Sequence, residues 1–362
     1  VIGAGGGSIA WMDDAGALKV GPKSAGADPG PAAYARGGTE PTITDAQISL
    51  HRLNPVALLD GRLKVDESAA RSVITDKVAR PLGLALEAAA EGVIRIANAN
   101  MGRAIRSVST ERGYDLSQFA LFAYGGAGPL HAIDVAAECG IRTVIVPLEP
   151  GTLCARGMLL TDISFDFVRS EIAEVTAESW RRVCERFAEM EAEARAWLER
   201  ERVPQPEQSF RYHIDARYQG QNFEVIVAMP RVAADGMAGF LHEFAATHQR
   251  EYGYDVPGRA VEIANCRLQA VGSVAKAPLR EIGATGGLAA AVTGRRKIYF
   301  GAGCGWLDAQ VYARSKLPAG ISLDGPAVIE EMSSTVLLAP GQSAAVDRIG
   351  NLVIDVKRVQ PA

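Results

Sequence analysis

From Trp180 onward, apolar residues recur at alternating steps of three and four: Trp180, Val183, Phe187, Met190, Ala194 and Trp197. A helix turns once every 3.6 residues, so this spacing gathers them into one narrow seam with charged residues around it. It predicts a long amphipathic helix, packed on its own chain in preference to an intermolecular coiled coil. From Glu67 to Arg112 the text is also helical, in two alanine-rich stretches separated by Pro81-Leu82-Gly83. The second carries Val93, Ile94, Ala97, Met101 and Ile105 on one face and stops at Gly113. Arg103 and Arg106 stand near its carboxyl end, where cations suit the helix dipole.

After Val203 the period drops to two. FRYHIDARYQGQNFEVIVAMP alternates like a hairpin about Gln219-Gly220-Gln221, followed by a short helix, GMAGFLHEFAATHQREYG, and a strand, VEIANCRLQAVGSV. The last seventy or so residues read as short strands with Gly and Pro turns.

The clearest unit lies earlier. FALFAY (Phe119 to Tyr124) reads as a buried strand, Gly125-Gly126-Ala127-Gly128 as a turn, and PLHAIDVAAECG as a helix with Pro129 at its first position and Gly140 as its stop. RTVIVP closes the unit as a second strand, parallel to the first. The glycine turn falls at the carboxyl end of a strand and the amino end of a helix, where open α/β sheets bind ligands. Tight helix–strand packing is the plain alternative.

The opening VIGAGGGSIA puts glycine at 3, 5, 6 and 7. A dinucleotide loop needs a helix directly after the turn. Only four residues separate Ser8 from the Asp13-Asp14-Ala15-Gly16 turn, and ALKVGP then resumes as a strand, so a β-turn-β hairpin is expected. Without a GK[ST] it is not a Walker loop either. SAGADPGPAAYARGG (Ser24 to Gly38) has too many breakers for a regular element and reads as an ordered loop. EPTITDAQISLHRL then reads as a short strand and a helix, with Asp45 at the N-cap.

Composition narrows the class without naming it. The 362 residues suffice for two or three domains, 48% of them are hydrophobic, and the net charge is −4. That charge argues against a large nucleic-acid surface. No apolar run approaches the roughly 18 residues of a membrane helix, so no membrane partner is expected. Five scattered cysteines without a CxxC pair read as reduced, mostly buried thiols of a cytoplasmic protein, Cys154 among them. No HExxH or zinc-ribbon spacing is present, and no metal-binding residue is assigned.

Taken together, IGAGGGSIAW, VGPKSAGADPGPAAYARGGTEPTITDA, NMGRAIRSVSTERGYD, FAYGGAGPLHA and DGPAVIEEMSSTVLLAPGQ resemble the hydantoinase A/oxoprolinase family over essentially the whole chain. The resemblance implies an α/β fold: a partial actin/sugar-kinase/Hsp70-like ATPase domain over residues 1–168, a long helix and linker over 169–204, and a β-rich α+β C-terminal domain over 205–362. It places Gly125, Gly126, Ala127, Gly128, Pro129 and His131 in a nucleotide motif holding the adenosine side of ATP. Gly5, Gly6, Gly7 and Ser8 would face the cleft holding phosphates and substrate. Asp45 becomes the catalytic candidate, positioning Mg²⁺-bound water or a substrate amide.

The implied activity is ATP-dependent hydrolysis of a cyclic amide, in which ATP phosphorylates the amide oxygen and a hydantoinase B-type subunit or domain completes ring opening. Ketone carboxylation by a subunit of the same family and a non-catalytic assembly module are the alternatives, with a flavin or NAD oxidoreductase behind them. The substrate, hydantoin, 5-oxoproline, another lactam or a ketone, stays open. The family's DxGGT-type phosphate segments are absent from the chain. The expectation is therefore the C-terminal portion of a longer protein, with residues 1–362 alone inactive. Two departures are a Tyr114-Asp115-Leu116 run in place of DPR and Cys-Ala-Arg-Gly at 154–157 in place of SALG.

Overall fold

The computed structural model describes residues 2–276 and 278–356. Two compact units divide them: one runs to Arg156 and resumes at Pro278, and the other begins at Gly157 and lies between.

In the first unit, β1 (Ser8–Met12) and β2 (Leu18–Ser24) form the expected antiparallel hairpin. Asp13 makes its turn, one carboxylate oxygen accepting from the amides of Ala15 and Ala17 at 3.1 and 2.8 Å. α1 (Ile43–Ser49) follows the long loop, and β3 (Ala57–Leu58) and β4 (Leu63–Lys64) form a small ribbon. The expected strand before α1 reduces to a single bridge between Ile9 and Thr42. α2 (Glu67–Ile74) passes through a wider turn into α3 (Arg80–Leu82), and α4 (Leu86–Val108) is the long second helix. Val93, Ile94 and Ala97 of α4 are buried against Ile43 and Ala46 of α1, Leu50 at its end and Ile74 of α2, the first part of the apolar face the spacing predicts, while Met101 and Ile105 are only partly buried.

The βαβ unit is present as β5 (Ala120–Phe122), α5 (Gly128–Cys139) and β6 (Thr143–Val146), with β5 and β6 parallel. One expectation fails here. β5 is short and lies at the edge of its sheet, leaving Phe119, Phe122 and Tyr124 about half exposed. α6 (Leu153–Leu159) follows, with Cys154 exposed. Among the cysteines only Cys266 is buried, so the reading of mostly buried thiols, Cys154 included, is corrected.

The second unit is a four-stranded antiparallel sheet in the order β7 (Ile163–Glu174), β10 (Val261–Gly272), β8 (Gln208–Tyr218), β9 (Val225–Met229). α7 (Ala177–Arg200) and α8 (Met237–Tyr252) supply the rest of its core. The α7 seam of Trp180, Val183, Phe187, Met190 and Ala194 is buried against residues of β8 and β10, so the helix packs on its own chain as expected. A Thr176–Ser179 capping box starts it.

The chain then returns to the first unit. α9 (Leu288–Ala291) leads into β11 (Val292–Tyr299), β12 (Trp306–Ala313), β13 (Ser322–Asp324), β14 (Ala327–Glu331), β15 (Ser334–Leu338), β16 (Ser343–Val346) and β17 (Leu352–Asp355). β17 pairs antiparallel with β6, completing a five-stranded sheet in the order β13-β16-β17-β6-β5. Val144 and Val146 therefore share one core with Leu352, Ile354, Ile329 and Val336. The compact units divide the chain after Arg156 and before Pro278, so α7 lies within the second unit and residues 205–362 are shared between both. Among the described residues no helix is long and apolar enough to cross a membrane.

Candidate functional site

The site grows from the amino end of α5. Gly125 takes a positive φ of 82°, and its amide donates to the Pro150 carbonyl at 2.8 Å. Ala127 precedes α5 without a side-chain cap, and Pro129 fills a first-turn position where a missing N–H costs nothing. The helix thus presents its positive end at the turn. The tip of the β14–β15 hairpin sits on that turn. A Cβ at Gly126 would lie 3.1 Å from the Ser333 carbonyl oxygen, and one at Gly151 would overlap the Ser333 side chain. Close approach of hairpin and turn is what requires glycine here. Gly151→Ala is expected to displace the Ser333 tip and cost about 1–3 kcal/mol, measurable by chemical denaturation; an unchanged midpoint would remove this account.

Behind the tip lies a cavity of about 520 Å³. α1 lines it through Ile43, Thr44 and Gln47, α5 and its turn through Gly126, Ala127, Leu130 and His131, and the hairpin through Glu330 to Thr335. Gly6 and Tyr34 also border it. Of the residues expected at the site, the structure therefore brings together Gly6, Gly126, Ala127 and His131. Gly5, Gly7 and Ser8 do not line it. The Ser8 hydroxyl accepts from the Gly5 amide at 3.0 Å, and the Gly7 carbonyl accepts from Ala25 at 2.8 Å. Both bonds hold the turn that delivers Gly6, whose carbonyl accepts from the amide and hydroxyl of Thr44 at 2.9 and 3.0 Å. Gly125, Gly128 and Pro129 shape the other turn from outside the cavity wall.

Asp45 stands elsewhere in role. The N-cap of α1 is Thr42, and Asp45 is the third helical residue of a capping box, so the N-cap assignment is corrected. It is 0% exposed and borders neither this cavity nor the second one described below. Its oxygens accept from the amides of Ala33 and Thr42 at 2.8 and 2.9 Å, from the Thr42 hydroxyl at 2.7 Å and from Ala32 at 3.4 Å. Burial pushes its carboxyl above the ordinary value, and these hydrogen bonds hold part of that rise back.

His131 is 2% exposed. Its Nδ1 lies 2.7 Å from Asn98 Oδ1, and the Asn98 amide nitrogen lies 3.4 Å from Asp134 Oδ2. A carboxylate accepts only, so the Asn98 NH₂ faces Asp134 and its carbonyl faces the imidazole. His131 is thereby held as the Nδ1–H tautomer. Burial, with the Arg52 charge nearby, pushes its pKa down to about 4, so the ring is neutral at pH 7. Asp134 and Arg52 border a second cavity of about 720 Å³, with Glu91, Arg95 and Glu138. Asp134 borders that cavity as an exposed residue, and desolvation by the protein around it pushes its pKa up, against Arg52 and Asn98.

Gln47, Asn98 and Asp134 were not singled out from the sequence. A signal existed for one of them: Asn98 interrupts the apolar face of α4 directly after Ala97, whereas Gln47 is one of four polar residues in α1. The Glu330–Thr335 hairpin lay in a quoted motif, but nothing local ties it to Gly126.

Comparison with known proteins gives this site a context. The hydantoinase/oxoprolinase family matches residues 1–167, and the hydantoinase/oxoprolinase C-terminal domain matches residues 171–355. The chain belongs to the hydantoinase/oxoprolinase family. It is 36% identical over 360 residues to caprolactamase subunit alpha of Pseudomonas jessenii, covering 96% of this chain and 51% of that protein. It is 33% identical to the acetophenone carboxylase gamma subunit of Aromatoleum aromaticum, covering 100% of this chain and 51% of that subunit. The crystal structure of the ATP-dependent caprolactamase from Pseudomonas jessenii superposes with a TM-score of 0.80 at 34% identity, over 97% of this chain and 52% of that one. The α/β class expected from the sequence holds. The chain spans about half the length of the curated relatives it matches.

Proposed function

We propose that the protein carrying this chain is an ATP-dependent hydrolase of cyclic amides, acting with a hydantoinase B-type partner. The observation that carries this reading is the cavity between α1, the amino end of α5 and the β14–β15 hairpin, in a chain 36% identical to a caprolactamase subunit. ATP would supply the phosphoryl group that turns the amide oxygen into part of a leaving group. The residues fit that use: the α5 amino end and its turn favour negatively charged oxygens, and apolar side chains such as Ile43 and Leu130 exclude water. Mg²⁺ belongs to this reading through the nucleotide. Among the described residues no group of three or more His, Cys, Asp or Glu is placed to hold a metal, so no step is assigned to one here. Asp45 acts as a positioning residue that ties the Ala32–Ala33 turn to α1.

The test is a substrate panel of hydantoin, 5-oxoproline, a larger lactam and a ketone with bicarbonate, assayed with the partner present. Phosphate release matched one-to-one by ring opening is the expected result. Release stimulated only by ketone and bicarbonate would overturn it in favour of carboxylation, the reading that the similarity to an acetophenone carboxylase subunit supports.

A further inference from the structure

The second cavity, of about 720 Å³, has the size of a small-molecule pocket, roughly 300–1,000 Å³, and its charges are left open. Arg52, Glu91, Arg95, Asp134 and Glu138 border it. Of these, among the described residues, Glu138 alone has an ion-pair partner, Arg106 at 3.5 Å. Arg52 is 7% exposed, and a guanidinium so buried is ordinarily paired with a carboxylate. Its Nε donates to the Tyr299 carbonyl at 3.2 Å, but its two terminal nitrogens keep accessible surface and have no hydrogen-bond partner among the described residues. Gln342, also 7% exposed, borders the same cavity and repeats the pattern. Its Oε1 accepts from the Ala339 amide at 2.7 Å, while Nε2 stays accessible and donates to no described residue. Asp134, on α5, has the opposite character. It is exposed, and its carboxylate meets only the Asn98 amide nitrogen, at 3.4 Å. Donors without an acceptor and a carboxylate without a cation thus border one cavity, yet Arg52 and Asp134 form no ion pair with each other.

We infer that this cavity binds a small zwitterion, an amino acid, with its carboxylate on Arg52 and Gln342 and its ammonium on Asp134 and Glu91. A simple anion would meet the carboxylates of Glu91, Asp134 and Glu138, and a simple cation would meet Arg52 and Arg95. A ligand carrying both charges completes both sets. Apolar side chains, Ile133, Leu337 and Phe300, also border the cavity and suit a short carbon chain. The charge pattern stands on geometry alone, and the choice among zwitterions rests on the reading of the protein as a cyclic-amide hydrolase. Adding water across the C–N bond of a lactam leaves a carboxylate and an amine on one molecule. The opened product therefore carries both groups that this cavity asks for, and the ring carries neither. Asn98 links this cavity to the first one. Its amide nitrogen faces Asp134, and its carbonyl oxygen lies 2.7 Å from Nδ1 of His131, which borders the first cavity. A product held at Asp134 sits one hydrogen-bonded side chain away from that wall.

Binding to the whole protein is measured by calorimetry for 6-aminohexanoate, glutamate, hexanoate, hexylamine and inorganic phosphate. At least one of the two amino acids is expected to bind roughly ten- to a hundredfold more tightly than hexanoate, hexylamine or phosphate. The two charge-removing variants should respond differently. Asp134→Asn is expected to bind the amino acid no better than hexanoate, and Arg52→Gln no better than hexylamine. The ligand series needs no variant, and Asp134 is exposed, so a misfolded Arg52→Gln protein does not spoil the test. Saturating ATP is expected to leave the amino-acid affinity unchanged. Equal affinity for the amino acid and either singly charged analogue would overturn the inference. So would phosphate binding as tightly as the amino acid, amino-acid affinity unchanged in both variants, or displacement of the amino acid by ATP. If an amino acid binds in this pattern while amide turnover is absent, the hydrolase reading falls and the site stands; amide turnover without amino-acid binding gives the reverse.

Discussion

Asp45→Ala is expected to cost the chain about 3–5 kcal/mol of stability, among the largest losses available from one exposed-to-nothing polar side chain. The substitution removes the only acceptor for four donors, the amides of Ala32, Ala33 and Thr42 and the Thr42 hydroxyl, in a region where Asp45, Thr42 and Ala33 are all 0% exposed. Water does not replace the carboxylate there, so each donor keeps its desolvation penalty. The damage spreads in a defined direction, because Ala32 and Ala33 belong to the breaker-rich loop while Thr42 caps α1, and the carboxylate is what joins them. Asp45→Asn keeps one acceptor oxygen but turns an NH₂ toward other donors, so it should fall between. Denaturant titration of the three forms gives the answer. A stable Asp45→Ala protein with lost turnover would instead return Asp45 to a chemical role.

That contrast marks where sequence reading reaches and where it stops. The α7 seam was legible because helical periodicity is a local property, and the partner face does not change which residues point inward. The βαβ unit was legible for the same reason: strand, turn, helix and strand follow one another, and chirality and chain connection leave one arrangement. The exposure of β5 was not legible. Whether a strand with an apolar sequence is central or at an edge depends on which other strands pair, and β6 turned its second edge to β17, more than 200 residues away.

The candidate site divides along the same line. Gly126 and Ala127 lie at the turn that local order singles out, a strand's carboxyl end followed by a helix's amino end, whereas His131 entered only through the family motif. The reason Gly126 is glycine lies in the distant Ser333 tip, which no local pattern encodes. Asp45 was placed correctly at the start of a helix yet one role away, since capping-box and N-cap residues differ by three positions that a loop of breakers does not fix. Asn98 shows the remaining gap. A lone polar residue on an apolar stripe is visible in sequence, but only the fold tells that its partner is His131.

His131→Gln is expected to remove a pH dependence worth about 3 kcal/mol between pH 6.5 and 4. The folded-state pKa of His131 is pushed down to about 4 from an ordinary 6.5. Between those values the unfolded chain binds a proton that the folded chain refuses, so stability rises with pH across the window and is lost as pH falls through it. Above 6.5 the ring is neutral in both states and contributes no slope. Burial is the larger cause, and the Arg52 charge adds to it, so a charged imidazole would face both a dry surrounding and a like charge. A neighbouring carboxyl runs the other way. Glu331, pushed up chiefly by burial, takes up its proton in the folded state first and gains stability as pH falls through the range above its ordinary value. The raw profile of the unaltered protein therefore mixes opposing slopes, and the signature of His131 is the difference between the two proteins. Measured by denaturation at intervals from pH 7.5 to 4, the stability of the unaltered protein should fall relative to His131→Gln by about 3 kcal/mol, with the change complete near pH 4. A flat difference would mean that the ring takes up its proton in the fold as readily as in the unfolded chain, and the neutral, Asn98-held imidazole at the cavity wall would have to be abandoned.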